Sequence, residues 1–365
     1  MNANFDGPMR RLRHLFCFVA MLCGPLTFAQ ADSAAFEDLL VRALQGDLTE
    51  VLRGMSALHD AALTPKQAVL RHRFGDRFGA EEQDGPPAFG DTLFTRLYGF
   101  YARYWRKAMR DNAGRVTYEK ELERAVMGLI DPLYRPHGTA TDTVDWTERL
   151  RGFLEGRGLF AATGRTGIFL DLLVHARESE VHYRVTTPED TLEVKVIFMD
   201  SVLSNGWEGF ATFDTYYPGG WATSDALYCA RASYDTTSEQ FHVSYLAHEG
   251  KHFADYKRFP RLQGPDLEYR AKLVELALAD SSLPGLLAFF QRNSGTDESD
   301  PHAFANRCVM RDLSRQLFGK DAPDDPGSWR DVPHDRIHTA ARGLLLKNTV
   351  DLERTGAARV ERFIR

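Results

Sequence analysis

The chain has 365 residues, of which 43% are hydrophobic and 26% are charged, a balance that is typical of a soluble globular protein. Its length allows one large domain or two modest ones, and its aromatic content of 12% is enough to build a sizeable core. The formal net charge is −6 and the pI is about 6.1, so there is no strong basic field, and we expect no nucleic-acid partner.

The first 31 residues have the features of a cleavable signal peptide. Three arginines come before an apolar run over 15–28, and Ala29-Gln30-Ala31 has the A-x-A form of a cleavage site. The sequence therefore predicts a signal peptide over 1–31, a mature chain that begins at Asp32, and a periplasmic or secreted location. The alternative is a buried N-terminal helix. No other apolar run reaches about 18 residues, so no membrane anchor is expected.

Residues 32–160 are predicted to form a helical region, because apolar residues recur there at the spacing of one helix face. Loops are expected at Gly85-Pro86-Pro87 and over 132–142. The segment 97–105 is dense in aromatic residues, which suits either a ligand-contacting face or the buried face of a packed helix. The packed helix is the favoured interpretation, since aromatic side chains at helical spacing most often belong to the core.

The pattern then changes to the alternation that is typical of strands. Residues 181–185 and 192–198 alternate on either side of the turn Thr187-Pro188-Glu189-Asp190, and 210–217 and 226–234 are further strand candidates. Beyond residue 236 the helical pattern returns. The sequence therefore predicts an α+β, mainly helical fold, with an N-terminal helical region, a small mixed sheet and C-terminal helices.

His248, Glu249 and His252 form the pattern H-E-x-x-H. Two histidines at positions i and i+4 of a helix lie one turn apart on the same face, so their rings can bind one metal ion. Glu249 is next to the first histidine, where its carboxylate can take a proton from water at that ion without being a ligand. The pattern therefore predicts a zinc (Zn2+) site with Glu249 as general base. The alternative is a structural helix with two exposed histidines.

The surrounding sequence predicts the helix that this motif requires. Thr236 and Glu239 have capping-box spacing, no proline interrupts 240–259, and Pro260 ends the helix. A second helix is expected from Pro265 onward. The connector between the two helices is short, which favours an antiparallel pair.

Catalytic zinc needs a third protein ligand that leaves one coordination position open. Glu268 and His252 lie at similar distances on either side of the connector, so they can face each other across the helix pair. Glu275 lies two turns further along the face of Glu268, where it could be the ligand instead or could hydrogen-bond His248. We expect Glu268 to be the third ligand, with Glu275 as the alternative.

The combination His248-Glu249-x-x-His252 followed by Glu268-Tyr269-Arg270-Ala271 resembles the gluzincin metallopeptidases. In that family the third zinc ligand is a glutamate on the next helix, and an edge strand of the preceding sheet binds the substrate in extended form. The resemblance implies a zincin-like catalytic domain over 161–365, with a minimal gluzincin core at 181–280 whose sheet packs on the H-E-x-x-H helix. It also places the substrate-binding strand within 219–228.

Two related kinds of site are not supported. The chain has no G-x-M-E-N segment, so an aminopeptidase role is not expected. Asp255 and Arg258 stand where the metzincin extension has its glycine and its third histidine. Asp255 is on the same helix as both histidines, and three ligands from one straight helix converge poorly. It could instead orient His252 or pair with Lys251.

A hydrogen-bond donor should stabilise the negative charge of the tetrahedral intermediate. The candidates are Tyr228, Tyr269, His302, His334 and His338, and their spacing selects none of them. His334 and His338 also form a second i, i+4 pair, for which a solvated helix N-terminus is favoured over a second metal site.

The sequence thus favours an exported zinc-dependent hydrolase, and specifically a peptidase, that acts on a peptide or protein substrate. The alternative, from a different class, is a non-catalytic envelope binding protein with a structural or relic zinc site. The mature chain keeps only Cys229 and Cys308, which could form one disulfide in an oxidising compartment but cannot form a cysteine-rich zinc site. The oligomeric state is not predicted.

Overall fold

The computed structural model describes residues 28–365 except 80–84, 86, 134–144 and 324. Residues 1–27 of the predicted signal peptide, and most of the predicted loop over 132–142, lie outside the described residues. Residues 28–31 belong to the first turn of a helix. Within the described part of the chain, no helix is both long enough and apolar enough to cross a membrane.

The described residues form twelve α-helices and five strands, so the fold is α+β and mainly helical, as the sequence predicts. The helices are α1 (Phe28–Ala43), α2 (Thr49–Ala57), α3 (Pro65–Phe78), α4 (Thr92–Arg110), α5 (Arg115–Ile130), α6 (Trp146–Glu155), α7 (Gly206–Thr212), α8 (His248–Arg258), α9 (Gly264–Leu278), α10 (Leu283–Arg292), α11 (Pro301–Phe318) and α12 (His334–Gly356). The strands are β1 (Phe160–Thr166), β2 (Phe169–Thr186), β3 (Thr191–Asn205), β4 (Gly220–Ala222) and β5 (Leu227–Ala230). A π-helix over Phe241–Ala247 leads into α8, and short 3-10 helices occupy Asp60–Ala62, Arg231–Ser233 and Pro326–Asp331.

The five strands form one mixed sheet in the order β1-β2-β3-β5-β4, so β4 is the last strand at one edge. β1 pairs antiparallel with β2, from Phe160 opposite His175 to Thr166 opposite Phe169. β5 pairs parallel with β3 and antiparallel with β4. This is the small mixed sheet that the sequence predicts between two helical stretches of the chain.

The chain divides into two compact units. Among the described residues, the first unit contains those from Phe28 to Glu178 together with Asp200–Pro218, and the second contains Ser179–Met199 together with Gly219–Arg365. β2 therefore starts in the first unit and ends in the second, and β3 does the reverse. All residues of the predicted metal site belong to the second unit.

The first unit has an aromatic core around α4. Tyr101, Tyr104 and Trp105 are buried, and the indole of Trp105 donates a 2.8 Å hydrogen bond to the backbone oxygen of Leu170. These rings bury a large apolar area, and the one polar group of Trp105 has a partner. The interpretation of 97–105 as the buried face of a packed helix is therefore confirmed.

The predicted strand over 210–217 is wrong. Residues Gly206–Thr212 form α7 instead, and all seven are buried in the first unit. Phe213 and Asp214 then adopt left-handed backbone angles, with φ of 54° and 56°, which ends the helix. Alternating aromatic and β-branched residues favour a strand locally, but complete burial of the helix outweighs that preference here.

The two strands predicted around the turn at 187–190 are confirmed, and both are longer than the alternating segments. The amide of Thr187 donates a 2.8 Å hydrogen bond to the oxygen of Asp190, and the hydroxyl of Thr187 accepts a 3.1 Å bond from the Asp190 amide. The strand candidate over 226–234 is confirmed only for Leu227–Ala230, since a 3-10 turn follows at once.

The helix predicted over 240–259 consists of two different helices. Phe241–Ala247 is π-helical, and α8 begins at His248, whose amide donates to the backbone oxygens of Val243 and Tyr245. The hydroxyl of Tyr245 donates a 2.7 Å hydrogen bond to the backbone oxygen of Tyr228 in β5. This bond attaches the π-helix to the sheet. π-Helical turns are rare in proteins, and many of those that occur lie at functional sites.

The capping box predicted from Thr236 and Glu239 is wrong. The carboxylate of Glu239 instead accepts hydrogen bonds from the backbone amides of Asp280, Ser281 and Ser282, just before α10. Burial opposes ionisation of Glu239, but the hydroxyl and amide donors lower its pKa to about 2. Glu239 therefore binds the turn that precedes α10 and fixes the chain at the entrance of the π-helix.

Candidate metal centre

The helix α8 carries the H-E-x-x-H residues, and close packing on the sheet sets its position within the second unit. At Gly250 the helix lies beside β2: an added Cβ atom would be 3.4 Å from Cγ1 of Val185, which is an ordinary van der Waals contact. Helix α9 begins with Gly264 and Pro265 after a short connector and packs along α8. The predicted pair of neighbouring helices is therefore confirmed.

The structure brings together His248 and His252 from α8 and Glu268 from α9. One possible ligand atom of each lies within 4.8 Å of the others. Nε2 of His252 is 3.4 Å from Oε1 of Glu268, and Nε2 of His248 is 3.6 Å from Oε2 of the same carboxylate. The two imidazole rings are 4.8 Å apart at their centroids and nearly perpendicular, at 83°. Three side chains of the types that bind zinc therefore face a common point.

This donor set fits a metal ion on two grounds. The nitrogen–oxygen distances of 3.4 and 3.6 Å, which end on different oxygens of the Glu268 carboxylate, lie in the range of about 3.3–3.6 Å that separates ligand atoms about 2.0–2.2 Å from a tetrahedral zinc ion. In addition, Nε2 of His248, Nε2 of His252 and Oε1 of Glu268 are buried and have no hydrogen-bond partner of normal geometry among the described residues. Buried polar atoms are almost always hydrogen-bonded, so a converging unpartnered set indicates a place for an ion.

Three further side chains hold the ligands in position. Glu275 accepts a 2.7 Å hydrogen bond from Nδ1 of His248, which leaves Nε2 of that ring facing Glu268. Nδ1 of His302 is 2.9 Å from Oε2 of Glu268, and Nζ of Lys272 is 3.5 Å from the same oxygen. Glu275 is therefore a partner of a candidate ligand, and such partners fix the tautomer and orientation of the ring they bind.

The charges of the site strongly perturb its ionisable groups. Burial disfavours the charged form of Glu268, but His302 and His248 hold its pKa well below the usual value. Burial likewise opposes protonation of His248, but the carboxylates of Glu275 and Glu268 raise its pKa to about 10. Burial lowers the pKa of His252. Without a cation, His248 thus carries a proton that a metal ion would displace on binding.

Glu249 is fully buried beside the ligands. Burial raises the pKa of its carboxyl to about 8, and the charge of Glu268 acts in the same direction, while His248 opposes the shift. The backbone of Ala222, in the edge strand β4, also lowers this pKa and therefore lies next to the carboxyl. A carboxyl that titrates near neutral pH is suited to transferring protons.

The predicted donors in and beyond α9 have other partners. The hydroxyl of Tyr269 donates a 3.1 Å hydrogen bond to Asp312. Nε2 of His338 is 2.7 Å from the backbone oxygen of Ala279. Nδ1 of His334 is 3.4 Å from the carboxylate of Asp280, the next residue. The second histidine pair is therefore engaged at the end of α9 and is not part of the ligand cluster.

Tyr228 and the two cysteines also lie outside the ligand cluster. The ring of Tyr228 stacks on that of Trp221, with centroids 5.2 Å apart and planes 9° from parallel. Cys229 and Cys308 are both buried and form no disulfide with each other. The stacked pair spans β4 and β5, and both strands contact α8.

Tyr256 belongs to the site although no motif indicates it. It follows His252 by one helical turn and Glu249 by two, so all three side chains share one stripe of α8. Its ring lies 6.3 Å from the ring of His252 at 21° between planes, and its hydroxyl has no hydrogen-bond partner among the described residues. Burial, followed by the charges of Glu249 and Glu268, raises its pKa. The i, i+3, i+7 spacing is the signal that could have identified it.

No protein-family model, no curated protein and no solved structure matches this chain. The resemblance to gluzincins therefore stays a prediction from short motifs. Any assignment of function depends on the chemistry of the site itself.

Proposed function

We propose that this protein is an exported zinc-dependent hydrolase that cleaves peptide bonds in a peptide or protein substrate. The observation that carries the proposal is the convergence of His248, His252 and Glu268: Nε2 of each histidine and Oε1 of the glutamate are buried and lack a hydrogen-bond partner of normal geometry among the described residues. Two imidazoles and one carboxylate are a ligand set that catalytic zinc uses. The signal-peptide pattern of residues 1–31 supports export.

A zinc ion in this site would polarise the scissile carbonyl and increase the acidity of water. Glu249 acts as general base: it takes a proton from the attacking water and passes it to the leaving amine. Burial raises the pKa of this carboxyl in the metal-free site, and the positive charge of a bound zinc ion would lower that pKa again, so that the carboxylate could accept the proton at neutral pH. The hydroxyl of Tyr256 donates a hydrogen bond to the oxyanion of the tetrahedral intermediate. His248, His252 and Glu268 remain in place throughout.

The edge of the sheet supports a peptide as the substrate. β4 is the terminal strand of the sheet order, and an extended peptide can add to such an edge through backbone hydrogen bonds. Ala222 of β4 lies next to the carboxyl of Glu249. A peptide backbone paired with β4 would therefore pass the general base.

Cleavage of a peptide library by the purified protein tests this proposal. We expect hydrolysis that a chelator abolishes and that added zinc restores. Glu249→Gln should bind zinc as the wild type does but lose at least about 100-fold in kcat/KM, because the base is removed and no ligand is changed. Unchanged turnover in this variant would refute the role of Glu249.

The second histidine pair provides a matched control. Asp335 directly follows the first histidine of the pair His334 and His338, as Glu249 directly follows His248. Unlike Glu249, Asp335 is exposed. Asp335→Asn should therefore retain both zinc affinity and activity. A loss of activity in this control equal to that of Glu249→Gln would contradict the assignment of the site to α8 and α9.

A second candidate function is a non-catalytic metal centre in an envelope binding protein. Burial is the observation in its favour: His248 is 1% exposed, and Glu249, His252 and Glu268 are 0% exposed. Structural zinc sites are closed, whereas catalytic sites keep a position open to water and substrate. A chain that binds one zinc ion but cleaves no peptide of the library supports this candidate.

A further inference from the structure

Behind the ligands, α8 and α9 are joined by a buried network of charges that the proposed reaction does not use. Its members are Glu189, Lys251, Asp255, Arg270, Asn348 and Thr349. The side chains of Lys251, Asp255 and Arg270 are fully buried, and that of Glu189 is 3% exposed. Two buried cations face two buried carboxylates, and the partly exposed carboxylate of Asp190 lies 3.9 Å from Nζ of Lys251.

Arg270 is the centre of this network. Its guanidinium binds both oxygens of the Asp255 carboxylate, at 2.7 and 3.1 Å, and lies 3.0 Å from Glu189. It also donates to the side-chain oxygens of Asn348 and Thr349, both at 2.8 Å. Arg270 on α9 is therefore bound to α8, to the turn between β2 and β3, and to α12.

Lys251 completes the network from the side of α8. Its Nζ is 2.5 Å from the carboxylate of Glu189 and 3.1 Å from that of Asp255. The hydroxyl of Thr349 donates to the second oxygen of Glu189. Every charged member thus has at least two polar partners, and the directions of these bonds define where α8 and α9 lie relative to each other.

Such a network is a poor means of stabilising a fold. Transferring several charges out of water is costly, and apolar residues of the same volume often give equal or greater stability. What a bidentate arginine–carboxylate pair does supply is a defined geometry. A role in geometry therefore explains the network better than a role in stability.

Three residues of the network lie close in the sequence to the candidate metal ligands His252 and Glu268, so the geometry that they fix is that of these ligands. Lys251 directly precedes His252, Asp255 follows His252 by three residues, and Arg270 follows Glu268 by two. We propose that the network is a positioning device that sets the register of α8 against α9, so that the metal ligands converge before an ion binds. This inference rests on the proposed zinc site. Its members are positioning residues and touch neither the metal nor the substrate.

The test is the double variant Lys251→Met with Glu189→Gln. It removes one positive and one negative charge and leaves the Asp255–Arg270 pair intact. We measure the thermal midpoint of the metal-free protein, the zinc dissociation constant by competition with a chelator, and the visible spectrum of the cobalt(II)-substituted protein. The thermal midpoint should change by only a few degrees. Zinc affinity should fall at least tenfold, and the cobalt spectrum should change, because the ligands no longer converge.

A matched control is Arg258→Met with Glu353→Gln. This ion pair also joins α8 to another helix, but its side chains are 37% and 48% exposed. The control should keep both the zinc affinity and the cobalt spectrum of the wild type. If the variant Lys251→Met with Glu189→Gln also keeps the zinc affinity and the cobalt spectrum of the wild type, the network has only a structural role, whatever the thermal midpoint of the variant. That result overturns the inference.

Two further outcomes are also decisive. If the double variant does not fold, Arg270→Lys is measured in the same way, since it keeps the charge but loses the two-pronged contact with Asp255. Wild-type zinc affinity in that variant overturns the inference. If the wild-type protein itself binds no zinc, the proposed function fails and the inference fails with it, a result that is distinct from failure of the network alone.

Discussion

The first unit contains a buried carboxyl whose removal should stabilise the protein near neutral pH. Glu208, in α7, is 6% exposed, and its Oε2 has no hydrogen-bond partner among the described residues. Burial, assisted by the charge of Asp171, raises its pKa to about 8. The variant Glu208→Gln keeps the size of the side chain but cannot ionise. We expect it to make the free energy of unfolding less dependent on pH.

The sign and the magnitude follow from the two pKa values. In the unfolded chain Glu208 has its ordinary pKa of 4.5, whereas in the folded protein it stays protonated up to about pH 8. Between these values the folded state binds more protons, so the free energy of unfolding falls as pH rises, by about 1.4 kcal/mol per pH unit. The loss reaches about 3 kcal/mol by pH 7 and levels off above pH 8. Below pH 4.5 this loss of stability is absent, because the Glu208 carboxyl is protonated in both the folded and the unfolded state.

Urea unfolding at pH 5, 6, 7 and 8, followed by tryptophan fluorescence, measures this effect. The wild type should lose stability across the interval, and Glu208→Gln should lose less, so that the variant is the more stable by about 3 kcal/mol at pH 7. The exposed residue Glu123 provides the control, because Glu123→Gln removes the same charge without burial. Parallel pH curves for Glu208→Gln and the wild type would show that the folded carboxyl is ionised, which refutes the reasoning.

Three further predictions concern the metal centre. Glu275→Gln should weaken zinc binding at least tenfold, because His248 loses a charged acceptor; chelator competition measures this, and unchanged affinity contradicts it. Tyr256→Phe should lower kcat by about 100-fold without changing zinc affinity. The control Tyr269→Phe should keep the wild-type kcat, because the hydroxyl of Tyr269 is hydrogen-bonded to Asp312. Equal kcat values for the two variants would exclude Tyr256 as the donor. Gly250→Ala should raise the free energy of unfolding by about 0.5–1 kcal/mol, since alanine is the better helix former and the added methyl group has room; destabilisation in urea would show that it does not fit.

The parts of the site that depend on local geometry could be predicted from the sequence. Helical spacing puts His248 and His252 on one face, and nearly equal distances from a short connector put Glu268 opposite them. The structure brings these three residues together for those reasons. The hydrogen bond between Glu275 and His248 was one of two expectations for that glutamate, and it is the one found.

Features that depend on residues far apart in the sequence could not be predicted. Glu239 has capping-box spacing from Thr236, yet its carboxylate binds amides that lie 41 to 43 residues later. Glu189, the partner of Lys251, is 62 residues earlier in the chain and reaches it only because a hairpin turn meets the helix. Residues 210–212 likewise lie in a segment with a strand-like local pattern, yet they form the end of α7, which is completely buried in the first unit.

The π-helix before α8 bears on how relatives of this protein could be recognised. A π-helical ring contains one residue more than an α-helical ring, because each amide pairs with the oxygen five residues back and not four. A homologue that lacks one residue between Phe241 and His248 could therefore run straight through as an α-helix and still present the same ligands. We expect the segment between Phe241 and His248 to vary in length by one residue among homologues. Sequence alignments that require a constant spacing before the H-E-x-x-H motif would therefore miss some homologues.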